Sequence, residues 1–318
     1  MASDNMDMEI EMNTAVNRKT GNEKIKLKKV KIPVSSIAPL VGLDHYKNFP
    51  KIVCELWRKY NRDEFNQIEK EFQKKDVDIA TDSEARRLVR ADIKNGTNFY
   101  QQVKKINSKT DTSQNLQAEQ KKVIEQINNV EGLDAKKKED MIKQVVSTTN
   151  KKHGVNNENN VLSKYESETG LKIQSGQENM IHKFNEDFDI GIEWIIHGKY
   201  DGFTSCGKLI EAKKRQKGLF KTLRDYERVQ IQTYMYMKGV EKGSLVESYS
   251  NKDGVSINII DVDYDKEYVD NFVIGRLNKF TEFFKNFINN SEWRNELLMG
   301  DKKREIYSMY QKVYLNVI

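Results

Sequence analysis

Apolar residues recur along the chain with two spacings, one typical of strands and the other of helices. Short apolar runs bounded by turn residues predict strands, at 24–31, 194–200, 208–213, 243–249 and 255–262. Apolar positions three or four residues apart, together with capping residues, predict helices, at 33–42, 52–60, 61–75, 81–93, 116–127, 135–146, 156–169, 226–237, 268–288, near 293 and from 303. Most of the predicted strands therefore lie between 194 and 262.

Two of these strands carry acidic residues where a sheet normally buries apolar groups. The run at 194–200 ends at Asp201, and the run at 208–210 leads directly into Glu211 and Lys213. Two apolar runs joined by a Gly-containing loop predict a hairpin. Since strand side chains alternate between faces, Glu211 and Lys213 share one face, and Asp201 at the end of the partner strand is close enough to join them.

This acidic cluster has two interpretations. In a chain with 32% charged residues, an exposed hairpin would carry such an Asp/Glu/Lys set as an ordinary solvated pair. Alternatively, the paired carboxylates hold a hard cation such as Mg²⁺, with the lysine beside an attacking water.

The predicted helices on either side add two polar residues to the pattern. The helix at 156–169 contains Glu158 and stops at Gly170, a good helix terminator. The helix at 226–237 places Gln230 and Tyr234 four residues apart, on one face. The chain order is therefore helical Glu, strand Asp, strand Glu-x-Lys and helical Gln.

This order resembles the PD-(D/E)XK nuclease superfamily, and within it the phage lambda exonuclease-like (YqaJ-type) branch. The resemblance covers roughly 28–289. It is carried by NNENNVLSKYESETG around Glu158, KYDG at Asp201, LIEAK at Glu211 and Lys213, VQIQTYMYM at Gln230 and IIDVDYDKEYVDNF at 259–272. It implies an α+β fold with a restriction-endonuclease-like core, in which helices flank a central mixed sheet, here with an inserted helical hairpin.

The resemblance also implies the site's roles. Asp201 and Glu211 would bind Mg²⁺, or Mn²⁺ as a substitute, with the Ala212 carbonyl as an extra ligand. Glu158 would reach in from its helix, directly or through a metal-bound water. Lys213 would orient the attacking water and help to deprotonate it.

Two further groups of residues complete the expected site. Gln230 would hydrogen-bond the lysine or the water. At the N-terminus, Lys29 and either Ser35 or Ser36 would receive the terminal phosphate, although a lysine binds phosphate as a point charge where the family usually has an arginine. The serines would equally serve as helix caps.

The activity implied by the resemblance is a 5′–3′ exonuclease that degrades linear double-stranded DNA for recombination or repair, in a viral setting. An endonuclease of the same fold and a non-catalytic DNA-binding protein with a decayed nuclease fold are the alternatives. The implied partners are duplex DNA ends, a single-strand annealing protein and further copies of the chain.

Charge and cysteine content narrow the setting. The net charge of +6 favours polyanionic partners. Lys214 and Arg215, which follow the acidic cluster, would contact the DNA backbone or else form a solvated loop. The two cysteines, Cys54 and Cys206, lie far apart in the sequence, which favours a reduced intracellular protein. Two cysteines are too few to hold a four-cysteine iron–sulfur cluster. Without a membrane-length apolar run, we expect a soluble protein of the cytoplasm, nucleus or viral replication site.

The expected organisation follows the composition. The 101–153 segment is rich in Lys, Gln, Asn and Glu, and reads as a helical hairpin that is either functionless or an arm for DNA or another subunit. Asp189 is a weaker candidate for an additional acid. His182 and His197 are weaker candidate metal ligands, since a lone histidine beside a strand is more often a surface or packed residue. The parts are a disordered tail (1–22), the N-terminal part of the nuclease domain (23–100), the helical insertion (101–153), the catalytic core (154–289) and a C-terminal helical tail (290–318).

Overall fold

A computed structural model describes residues 27–43, 49–74, 88–90, 98–109, 112–251, 254–298 and 303–316. The predicted tail at 1–22 and most of the predicted helix at 81–93 lie outside these residues. The strands are β1 (Lys28–Pro33), β2 (Ile173–Ser175), β3 (Asn179–Asp187), β4 (Ile192–Lys199), β5 (Gly202–Thr204), β6 (Leu209–Lys214), β7 (Lys242–Asn251) and β8 (Gly254–Asp263).

The α-helices surround these strands, as expected for an α+β protein with mixed sheets. They are α1 (Ile37–Leu40), α2 (Phe49–Tyr60), α3 (Arg62–Lys74), α4 (Phe99–Lys109), α5 (Ser113–Asn128), α6 (Ala135–Thr169), α7 (Asp225–Lys238), α8 (Gly275–Asn289), α9 (Ser291–Leu298) and α10 (Lys303–Val313). Among the described residues, no helix combines the length and the apolar character needed to cross a membrane.

The first sheet has three strands in the order β1-β4-β3, with β1 parallel and β3 antiparallel to β4. In β1, Val30 and Ile32 are buried while Lys29 and Lys31 are exposed. This alternation on an outer strand confirms, within its described residues, the predicted lysine-rich edge strand. The predicted aromatic stripe of α8 packs against this region and is core: Phe280, Phe283, Phe284 and Phe287.

The second sheet has the order β2-β5-β6-β7-β8, in which β6 and β7 are parallel and the other neighbours antiparallel. The predicted strands at 243–249 and 255–262 are confirmed as β7 and β8. The predicted hairpin is wrong in one respect, because β6 pairs with the short strand β5 rather than with the run at 194–200. That run is β4 of the other sheet, and the chain bends at Asp201 to pass between the sheets.

The helix that carries Glu158 is longer than predicted. We expected separate helices at 135–146 and 156–169, but α6 runs unbroken for 35 residues and ends, as predicted, before Gly170 (φ 72°). Its buried positions recur every four residues: Met141, Val145, Thr149, His153, Asn157, Val161 and Tyr165. The middle three are polar, so the apolar periodicity disappears there although the buried stripe continues.

The two halves of α6 pack against different partners. Met141 and Val145 share a small core with Val123 and Ile127 of α5, which confirms the predicted helical hairpin. Further along, Val161 packs with residues of the five-stranded sheet. One helix therefore joins the hairpin to the sheet that carries the acidic cluster.

The segment after β1 departs from prediction. In place of one helix at 33–42, a 3-10 turn (Val34–Ser36) leads into the single turn of α1. Ser36 precedes α1, but its side chain makes no capping hydrogen bond, and Ser35 is exposed. The predicted serine cap is therefore wrong, since this helix is too short to need one.

Candidate active site

Four of the predicted site residues form one continuous contact network. The backbone N–H of Ala212 donates to Asp201 Oδ2 at 2.8 Å, which ties the bend after β4 to strand β6. Lys213 Nζ donates to Glu211 Oε1 at 2.6 Å and to Gln230 Oε1 at 3.0 Å. Gln230 Nε2 in turn donates to Glu211 Oε1 at 2.7 Å. The side chains of Glu211 and Lys213 therefore share a face of β6, as predicted.

The two glutamines of α7, Gln230 and Gln232, lie on different faces of the helix. Gln232 has a tyrosine four residues later just as Gln230 does, but it donates to the Asp263 carbonyl at 2.7 Å. Its companion Tyr236 contacts His182 at 2.9 Å. Tyr234 is buried beside Gly198, where a Cβ atom would lie 2.8 Å from its ring. Gln230 hydrogen-bonds Glu211 and Lys213 directly. Tyr234 hydrogen-bonds Gln230, and burial followed by the charge of Glu211 raises the pKa of its hydroxyl.

Glu158 reaches the cluster through a residue that the sequence pattern did not indicate. Its Oε2 accepts a hydrogen bond from Gln177 Nε2 at 3.1 Å. The backbone of Gln177 has φ 56°, a left-handed conformation that a non-glycine residue adopts at a cost of about 1–3 kcal/mol. Its N–H donates to the Tyr200 carbonyl at 3.0 Å. The backbone hydrogen bond to Tyr200 fixes this conformation, which places the glutamine side chain beside Glu158.

Gly176 explains how this segment comes so close to the acidic bend. A Cβ atom at that position would lie 2.7 Å from the Asp201 carbonyl oxygen. The contact is with backbone, so no side-chain rotation would relieve it. The glycine therefore permits the close approach that aligns Gln177 with the site.

Burial and mutual repulsion raise the pKa values of the carboxyl groups. Burial, followed by the charge of Asp201, raises the pKa of Glu211 to about 8 and that of Glu158 to about 7. Burial also raises the pKa of Asp201, although Lys213 and the Ala212 N–H oppose the rise. Three carboxylates thus compete for one cation, a situation in which added positive charge is favourable.

Lys213 is held in its charged form. Burial alone would lower its pKa, but the charges of Glu211 and Asp201 more than offset that effect, so its pKa lies above the usual value. The side chain is therefore an ammonium that donates to the carboxylate and amide around it.

A small hard cation suits this donor set. Glu211 Oε2 is buried and has no hydrogen-bond partner among the described residues, and the three carboxylates share the positive charge of Lys213. No three His, Cys, Asp or Glu side chains among the residues that the structure describes are placed so that together they could hold a metal ion. Mg²⁺ is commonly bound by only one or two carboxylates, with water and phosphate completing its shell. The residues present fit that mode of binding.

The expected phosphate-binding residues of the N-terminus lie apart from the network. Lys29 is exposed, and its Nζ lies 3.6 Å from Glu193 Oε1. Ser35 and Ser36 follow the carboxyl end of β1. Because β1 is parallel to β4, with Pro33 opposite His197, these serines lie at the edge of the sheet where β4 leads into the acidic bend.

Lys214 and Arg215 occupy environments that differ from the solvent-facing run we expected. Arg215 is buried, with Nη1 2.7 Å from Glu227 Oε1 and Nε 2.7 Å from Glu247 Oε1. Its guanidinium therefore neutralises two buried carboxylates. Lys214 leaves the opposite face of β6 and donates to Ser250 Oγ. The solvated-loop alternative is wrong for this pair, because β6 extends to Lys214 and alternation along the strand sends the two side chains to opposite faces. A contact of Lys214 or Arg215 with DNA stays a prediction.

The weaker candidate ligands are occupied elsewhere. Asp189 pairs with Lys285. His182 contacts Tyr236, and burial lowers its pKa. Burial, followed by the charges of Lys59 and Lys31, also lowers the pKa of His197.

Comparisons with known proteins give only distant similarities. No family model and no curated protein matches the chain. An alkaline exonuclease from Laribacter hongkongensis superposes with a TM-score of 0.32 and 14% identity over 59% of this chain and 90% of that one. For a phage related exonuclease from Haemophilus somnus the TM-score is 0.32, with 13% identity over 42% and 70%.

A third solved structure, that of SSO0001, superposes with a TM-score of 0.30 and 18% identity over 44% of this chain. The match spans 63% of that protein, which is less than two thirds of its length. The neighbours include exonucleases, but similarities of this size carry no argument, so functional inference rests on the site geometry.

Proposed function

We propose that the chain is a metal-dependent nuclease that hydrolyses phosphodiester bonds in DNA, acting as a 5′–3′ exonuclease on linear duplexes. The observation that carries the proposal is the contact network of Asp201, Glu211, Lys213 and Gln230. Buried ionised groups destabilise a fold unless they are compensated. A cluster that combines surplus acids with one lysine and one amide is therefore better explained by chemistry than by stability.

Asp201 and Glu211 would hold Mg²⁺ or Mn²⁺, with the Ala212 carbonyl as a further oxygen ligand and Glu158 reaching the ion through a bound water. When bound, such an ion polarises the phosphate and makes its bound water more acidic. Asp201 stays aligned through the hydrogen bond from Ala212, and Glu211 through those from Lys213 and Gln230.

Lys213 would stabilise negative charge on the phosphate in the transition state, since its raised pKa favours a cation over a proton acceptor. This refines the expectation that the lysine deprotonates the water. Glu158 is better suited to accept that proton, because its pKa of about 7 leaves it partly ionised near neutrality. Gln177 would orient Glu158, and Gln230 would orient Lys213.

The biological assignment follows the resemblance seen in the sequence. Duplex DNA ends would be the substrate, with Lys29, Ser35 and Ser36 near the terminal phosphate and an annealing protein or further copies of the chain as partners. The net charge of +6 is consistent with a polyanionic substrate. Recombination or repair inside a cell, at a viral replication site, would be the setting.

The test uses a 5′-phosphorylated linear duplex, the same DNA as a closed circle, and single strand, each with Mg²⁺ or with EDTA. Lys213→Met removes the charge and keeps the side-chain length. Lys242→Met is the control, because that lysine is 65% exposed and pairs with Asp263 on the surface. Degradation of the linear duplex alone, lost in Lys213→Met and EDTA but kept in the control, is the expected result.

Two other outcomes would change the assigned activity. Nicking or linearisation of the circle would indicate an endonuclease. DNA binding without turnover in any metal would contradict the catalytic proposal and leave a DNA-binding protein.

A further inference from the structure

A polar cavity of about 480 Å³ lies on the α6 side of the five-stranded sheet. It is at the carboxyl ends of the parallel strands β6 and β7, and its volume is in the range of small-ligand sites. None of its described lining residues is acidic. The residues that line it include Asn160, Ser163, Lys214, Ser248 and Ser250.

Two lysines line this cavity, Lys164 and Lys214. Lys164 is paired with Glu168 at 2.8 Å, so Lys214 is the one that would pair with an anion. It follows Lys213 in β6, so the two side chains leave opposite faces of the sheet. Its Nζ donates to Ser250 Oγ on β7, and no carboxylate is paired with it among the described residues. The side chain is half-buried, so its ammonium has little water around it and, within the described part of the chain, no carboxylate as countercharge. A bound anion would supply that countercharge.

The remaining lining groups favour an anion with several acceptor oxygens. Ser248 and Ser250 of β7 line the cavity, and both are buried, so they form its floor. Asn160 and Ser163 lie three residues apart on α6 and contribute an amide and a hydroxyl from the facing side. Phosphate matches such a ring of hydroxyl, amide and ammonium donors better than a carboxylate, because it presents more acceptor oxygens.

We infer that this cavity binds the phosphate group of a nucleotide, either free or within a nucleic-acid strand. The inference rests on the proposed function, since phosphodiester hydrolysis generates such groups next to Lys213, one residue away along β6. The facing helix connects the two places as well, because Asn157 lines the cavity and its neighbour Glu158 belongs to the acidic cluster. The cavity would thus hold a nucleotide phosphate on the far side of the sheet from the proposed chemistry.

Calorimetric titration in EDTA tests this site separately from metal-dependent chemistry. The probes are a deoxynucleoside 5′-monophosphate, inorganic phosphate and a short 5′-phosphorylated oligothymidylate. Lys214→Gln removes the charge and keeps a group that can bond Ser250. The matched control is Lys242→Gln, the same change at the opposite end of β7. The Asn160→Ala/Ser163→Ala double variant probes the helix side without altering the strands.

We expect at least tenfold weaker binding of the nucleotide or the oligonucleotide in Lys214→Gln, at least threefold weaker binding in the double variant, and no change in Lys242→Gln. Preference for the monophosphate would identify a free nucleotide as the ligand, and preference for the oligonucleotide would identify a strand. Glu211→Gln should keep this binding even though it loses hydrolysis, so the two proposals fail independently. Absence of binding up to about 10 mM, or equal loss in Glu211→Gln and Lys214→Gln, would overturn the inference.

Discussion

Replacing Glu211 by glutamine should stabilise the metal-free protein while abolishing hydrolysis. The side chain is 3% exposed and lies beside Asp201 and Glu158, with Lys213 as the shared cation. Glutamine has nearly the same shape and can keep one hydrogen bond to Lys213 or Gln230. The substitution removes one of three competing negative charges, so repulsion within the cluster falls.

The magnitude follows from the raised pKa of Glu211, about 8 against an ordinary 4.5. At about 1.4 kcal/mol per pKa unit, ionising this carboxyl at pH 8 costs the native state up to ~5 kcal/mol. Losing the charged hydrogen bond from Lys213 costs roughly 2 kcal/mol. A net gain of about 2–3 kcal/mol remains, equivalent to a rise in Tm of about 4 °C for a chain of 318 residues.

Urea unfolding at pH 8 in EDTA would measure this gain, and Mg²⁺ would then be added. Mg²⁺ should stabilise the wild type, by about 3 kcal/mol at a concentration near 100 times Kd, and should have little effect on Glu211→Gln. Lys213→Met should have the opposite effect, because it leaves three carboxylates without a cation. It should lower the free energy of unfolding by about 3–5 kcal/mol. A Glu211→Gln protein that unfolds at lower urea than the wild type would refute the reasoning.

Three further predictions concern the surroundings of the site. Arg215→Met should lower the free energy of unfolding in urea by about 3–5 kcal/mol, because it leaves buried carboxylates uncompensated. Lys217→Met, a change at an exposed neighbour, should alter that free energy by no more than about 0.5 kcal/mol. Equal effects of the two changes would contradict the ion-pair assignment. Gly176→Ala should displace the Asp201 backbone and lower kcat at least tenfold, while Gly154→Ala, which has open space in α6, should gain up to ~1 kcal/mol; unchanged kcat would exclude the predicted displacement. In EDTA the Tm should fall as the pH rises from 5 to 9, because the pKa of Glu211 is raised to about 8 in the native state and protonation stabilises that state below this value. Glu211→Gln should make the Tm less dependent on pH. An unaltered slope in Glu211→Gln would contradict this prediction.

The local sequence pattern was sufficient to predict the direction of a side chain wherever a single helix or strand determines it. Alternation along 208–213 placed Glu211 and Lys213 on one face. Helical spacing left Gln230 and Gln232 of α7 as alternatives, and the family resemblance favoured Gln230. The aromatic stripe of α8 was identified as core from its helical spacing. In each case the side chain's direction depends on the period of its own helix or strand.

The tertiary structure alone decided features that depend on pairing between distant segments. The bend at Asp201 assigns β4 and β6 to different sheets, although the sequence suggests one hairpin. Helix α6 continues through polar residues because its buried stripe meets two partners in succession, which no single periodicity reveals. Gln177 and the two carboxylates that pair with Arg215 belong to the same class. Their positions are set by contacts between distant segments, including the close backbone approach at Gly176, and such contacts leave no periodic signal in the sequence.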